Sequence, residues 1–60
     1  MAHWHNDLGL VLRDLGDLPG ARVEFEQALQ IGQATVGPDH PNMATFRRNL
    51  DQVRQQLGGQ

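Results

Sequence analysis

Residues 1–16 read MAHWHNDLGLVLRDLG, and residues 43–58 read MATFRRNLDQVRQQLG. Set together at an offset of 42, the two stretches share Met1/Met43, Ala2/Ala44, Leu8/Leu50, Val11/Val53, Leu15/Leu57 and Gly16/Gly58, and aromatic Trp4 stands opposite aromatic Phe46. The apolar stripe is Met1, Trp4, Leu8, Val11 and Leu15 in the first copy and Met43, Phe46, Leu50, Val53 and Leu57 in the second. Steps of three and four residues in alternation place each stripe on one face of an α-helix. A stripe and its stop glycine recurring together at a period between about 20 and 50 residues is the mark of stacked helical units.

Working outward, two clusters of breakers divide the chain: Gly16-Asp17-Leu18-Pro19 and Gly37-Pro38-Asp39-His40-Pro41. They leave room for helices over 2–15, 18–36 and 41–57, with a loop at 37–41. Gly16 supplies the positive φ that ends the first helix. Asp17 is the expected N-cap of the second, and Pro19 is tolerated in its first turn, where the missing N–H has no intrahelical partner. The third is expected to be capped by Asp39 or His40 and closed by Gly58-Gly59. The second helix gathers Ala21, Phe25, Ala28, Leu29, Gly32 and Val36 on one face, and its small members let a neighbouring helix come close. Nothing alternates at period two, so the fold is expected to be all-α: an antiparallel helix-turn-helix hairpin followed by one further helix.

Sixty residues make one domain at most, and a chain of this size buries only about 60% of its unfolded surface. Apolar residues are 38% of the chain and cysteine is absent, so a modest core has no disulfide or thiolate–metal staple. Self-association, or membership of a larger stack, is the expected remedy. The net charge of −2 argues against nucleic acid as a partner. No apolar run approaches the roughly 20 residues of a membrane span, and no secretory signal is read, so a cytoplasmic protein is expected. Five Arg and no Lys carry the positive charge.

The arrangement resembles the tetratricopeptide repeat, whose pattern runs W-x2-L-G-x2-Y, then A-x3-F, then P. Leu8-Gly9 fills the L-G pair, Leu12 stands at the Tyr position, Ala21 and Phe25 fill A-x3-F, and Ala28 and Leu29 continue the second helix. His5 occupies the Trp position, with Trp4 one residue early, and Gln33 replaces the closing Pro. The 42-residue period is similar to the longer variety found in kinesin light chains and many bacterial repeat proteins. The resemblance implies about one and a half repeats of an α-solenoid that binds a protein or peptide. In such arrays the first helix of each hairpin lines a concave groove. Carried onto this sequence, the groove positions are His3, Asn6, Leu10 and Arg13, with Asp7 beside them, then Arg48, Asn49 and Gln52, with Thr45 beside them. Asn can hold a peptide backbone by donating and accepting at once, and Arg can take a carboxylate. The lysine-based carboxylate clamp of some family members has no counterpart here.

The two copies of the stripe differ in their surroundings. Gly9, Leu10 and Leu12 of the first helix become Asp51, Gln52 and Arg54 in the third. A stacking face backed by a polar one is what a capping element needs, so Leu57-Gly58-Gly59-Gln60 reads as the C-terminal end of an array. The first helix has no such cap. Met1, Trp4, Val11 and Leu15 are therefore the expected self-association residues, in a homodimer or higher homo-oligomer built by two-fold packing or by helix exchange. The alternative is a purely structural self-assembling module with no external ligand.

Catalysis is not expected. Ser, Cys and Tyr are absent, leaving Thr35 and Thr45 as hydroxyl nucleophiles. Asp7 and Asp14 stand about 10 Å apart along one helix, as a solvated face does. His3 and His5 are two residues apart, whereas helical metal pairs are spaced four apart. Met1-Ala2-His3 has the pattern of an amino-terminal copper or nickel site, but small Ala2 favours removal of Met1, which destroys the register. His40 is read as a turn or cap residue. Neither metal nor cofactor is expected.

Overall fold

The computed structural model describes residues 2–58. They form α1 (Ala2–Asp14), α2 (Leu18–Thr35) and α3 (Pro41–Gly58), with no strand among them. Gly59 and Gln60, part of the expected closure, lie outside the described residues, as does Met1.

The α1–α2 turn is compact because adjacent residues serve both helices. Gly16 has φ 89, and its N–H bonds to the Arg13 carbonyl at 3.0 Å while that of Asp17 bonds to the Leu12 carbonyl at 2.8 Å. Two such bonds around a left-handed glycine satisfy the last carbonyls of α1. The Asp17 carboxylate then accepts from the Gly20 N–H at 3.1 Å and its carbonyl from the Ala21 N–H at 2.9 Å, which starts α2. Gly37, at φ 91, ends α2 with its N–H on the Gly32 carbonyl. Of the two cap candidates for α3, His40 takes the role: its Nδ1 accepts from the Asn42 N–H at 3.1 Å and its carbonyl from the Met43 N–H at 2.9 Å.

α2 is the central element. Its Ala21, Phe25, Ala28 and Gly32 are all buried. On one side the Phe25 ring lies against the backbone of α1 at Gly9, where an added Cβ would stand 2.5 Å from the ring. On the other, Met43, Phe46, Leu50 and Val53 of α3 are buried against α2, and a Cβ on Gly32 would stand 2.6 Å from the Met43 sulfur. Leu10, Leu12, Leu18, Leu29 and Leu57 close the rim of the Ala21–Phe25–Leu50–Val53 cluster. Small residues on α1 and α2 thus let both neighbours of the central helix come close.

The two close-approach glycines differ in what can yield. Gly→Ala inside a helix brings about 1 kcal/mol of helix propensity, against roughly 1–3 kcal/mol for overpacking. At Gly9 the obstacle is a fully buried aromatic ring. At Gly32 it is the end of a flexible methionine. Gly9→Ala is expected to lower the stability by up to about 2 kcal/mol and Gly32→Ala to leave it nearly unchanged, as read from urea midpoints at constant slope.

Candidate interaction surfaces

Among the described residues, three side-chain pairs tie α1 to α3. Asn42 Nδ2 donates to His3 Nε2 at 3.1 Å, Asn49 Nδ2 to Asn6 Oδ1 at 2.8 Å, and an Arg13 guanidinium nitrogen to Gln52 Oε1 at 3.4 Å. The His3 ring also stands edge-on to Phe46, with centroids 5.8 Å apart. The pairs form a polar seam beside Gly9, Leu10 and Leu12 of α1 and Phe46, Leu50 and Val53 of α3, which pack into the core around α2. Asn6 is 7% exposed, the one buried polar residue among those described, and its partner satisfies its oxygen.

His3, Asn6, Arg13, Asn49 and Gln52 therefore lie together on this seam, bonded in pairs across it. Arg48, Asp7 and Thr45 are exposed. Leu10 is half-buried and packs against the Ala21–Phe25–Leu50–Val53 cluster. Beside the seam, a cleft of about 220 Å³ opens between the start of α1, the end of α2 and the start of α3, lined by His3, Ile31, Thr35, Val36, Asn42 and Phe46. Asn42 and the cleft were not legible in the sequence, since helix crossing alone brings these ends together. The same holds for His5, whose Nδ1 lies 2.7 Å from Glu24 Oε1 on α2. Its contact with α2 comes from the packing of the two helices, and no spacing in the sequence names that partner.

The second surface is apolar. Trp4, Val11 and Leu15 are 63%, 53% and 76% exposed, whereas Phe46 and Val53, the repeat equivalents of Trp4 and Val11, are 1% and 0% exposed. The third surface is the outer face of α3, where Arg47, Arg48, Asp51, Gln52, Arg54, Gln55 and Gln56 are all exposed. Among the described residues no three His, Asp or Glu side chains converge as a metal site would require, and no helix is long and apolar enough to cross a membrane.

An antiparallel helical hairpin whose second helix seats a copy of the first defines the class of helical-repeat interaction modules. The sequence model of one such family, the tetratricopeptide repeat, matches residues 2–42. That span covers 41 of the 60 residues, so the chain belongs to the tetratricopeptide repeat family. Repeats of this family are helical protein-interaction modules and not catalytic ones. No curated protein and no solved structure gives a significant match.

The Asn6–Asn49 bond links α1 to α3, and its energy is measurable. Asn49→Ala strands a buried carbonyl oxygen and is expected to cost about 1–3 kcal/mol. In a double-mutant cycle with Asn6→Ala, the coupling should be roughly 0.5–1.5 kcal/mol. Coupling indistinguishable from zero would mean that the two amides act independently.

Proposed function

We propose that this chain is a protein–protein interaction module that works by stacking, with Trp4, Val11 and Leu15 as its docking face and α3 as the end cap of a helical stack. The observation that carries the reading is the contrast between two copies of one stripe, buried at Phe46 and Val53 and exposed at Trp4 and Val11. An exposed apolar patch of this kind is the usual sign of an interface. Capping is supported by the polar outer face of α3. Where α1 offers Gly9, Leu10 and Leu12 to the helix beside it, α3 offers Asp51, Gln52 and Arg54. A further helix packed there would strip water from charged groups without replacing their hydrogen bonds. For the chain in isolation the reading is self-association, because covering the stripe extends a small core that has no disulfide.

A second reading treats the α1–α3 seam as a peptide surface, with Arg13, Arg48 and the amides of Asn6, Asn49 and Gln52 as its polar groups and His3 and Leu10 at its edges. It is favoured by the three polar pairs, His3–Asn42, Asn6–Asn49 and Arg13–Gln52, that bridge the two helices. A module without this second role would be purely structural.

Sedimentation equilibrium separates these roles. At about 100 µM, where a micromolar dissociation constant leaves mostly dimer, the wild-type chain is expected to sediment as a dimer. Trp4→Glu should sediment as a monomer with unchanged helical circular dichroism, because Trp4 is exposed. Arg13→Ala with Arg48→Ala should leave the mass unaltered and weaken only the binding of an extended, carboxylate-bearing peptide. A folded wild-type monomer at this concentration contradicts the self-association reading.

A further inference from the structure

We infer that two copies associate through α1 against α1, antiparallel about a two-fold axis, with Trp4 of each copy over Leu15 of the other. This rests on the self-association reading above and assigns it a geometry. The stripe positions 4, 8, 11 and 15 are spaced 4-3-4, and that spacing is the same read in either direction. A second copy running the opposite way therefore presents 15, 11, 8 and 4 at matching heights. Trp4 meets Leu15 at both ends, and Leu8 meets Val11 on either side of the axis. Leu15 keeps its helical height although it follows α1, since its N–H still bonds to the Val11 carbonyl at 3.0 Å. The contact runs about 16 Å along the helix. Two-fold interfaces require a self-complementary patch, and this one closes without leaving a stripe free.

The competing geometry is weaker on the same observations. The repeat pattern would seat the α1 stripe on a helix like α2, but the α2 of a second copy is covered by its own α3: Ala21, Phe25, Ala28, Met43 and Val53 are all 0% exposed. Displacing α3 would first uncover Met43, Phe46, Leu50 and Val53. Exchanging α3 between copies restores the same contacts and leaves Trp4, Val11 and Leu15 in water. The other exposed large apolar residues, Val23 and Val36, lie apart on α2 and its end.

The chain has no native cysteine, which makes disulfide trapping unambiguous. Trp4→Cys and Leu15→Cys are made separately, checked for helical circular dichroism, and oxidised alone and as an equimolar mixture. The mixture is expected to give the crossed dimer, with one thiol from each variant, roughly a hundredfold faster than random collision at about 10 µM, because thiols held in one complex see each other at millimolar effective concentration. Each variant alone should give only the collisional rate. A second pair removes dependence on the thiols: Trp4→Glu and Leu15→Arg should each be monomeric alone and form a heterodimer when mixed. Fast disulfide dimers of W4C with itself and of L15C with itself would indicate a parallel pair and overturn the geometry. A wild-type dimer with no crossed disulfide and no rescue by the charge pair overturns the geometry alone. A wild-type monomer overturns the self-association reading and this geometry with it.

Discussion

The fold depends on how closely two helices approach α2. Phe25 is the hinge of that arrangement: its ring fills the gap between α1 and α3, and it fits only because Gly9 presents bare backbone beneath it. The same economy of side chain recurs across α2, where Ala28 and Gly32 make room for Phe46 and Met43 of α3. Burying an aromatic residue is among the larger favourable contributions a small core can hold. A chain of this size has few alternatives, since it lacks disulfides and its three helices leave much of their surface in water. A residue larger than glycine at position 9 would push α1 off the Phe25 ring before any surface contact could matter.

Repetition then turns a folding device into a docking device. One stripe occurs twice, and α2 can seat only one copy. The α3 copy is within reach of the α2 face, forms the second half of the core, and leaves its remaining surface polar. The α1 copy lies on the side away from that seat. Its Trp4, Val11 and Leu15 are therefore left exposed among the described residues. The polar seam between α1 and α3 has a different character. Its three hydrogen-bonded pairs bridge α1 and α3, and one of them carries the buried Asn6.

Much of this was legible in the residues themselves. Glycine and proline placed the turns, because positive φ at Gly16 and Gly37 and the capping carboxylate of Asp17 are local requirements. The apolar spacing gave the helices their faces, and the offset of 42 paired α1 with α3. What periodicity could not supply was the height and crossing of one helix against another. That is why the His5–Glu24 pair and the His3–Asn42 bond emerge only from the fold, and why the choice between Asp39 and His40 as cap was open until the backbone at Pro41 was set. Leu10 shows the same limit on a single residue. It sits at the border between the groove-facing and core-facing sides of α1, and the helix crossing turns it toward the core. The candidate surfaces were legible as faces and not as bonded pairs.

Nitrogen-15 chemical shifts followed across a dilution series would test the central claim most directly, namely that the open face of this repeat unit is the α1 stripe and that the outer face of α3 stays in water. The account predicts concentration-dependent shifts confined to the Trp4 indole N–H and to the amides of residues 4–15, with Arg47, Arg48, Asp51 and Arg54 unmoved. Shifts centred on α3, or spectra that do not change between about 10 µM and 1 mM, would contradict it.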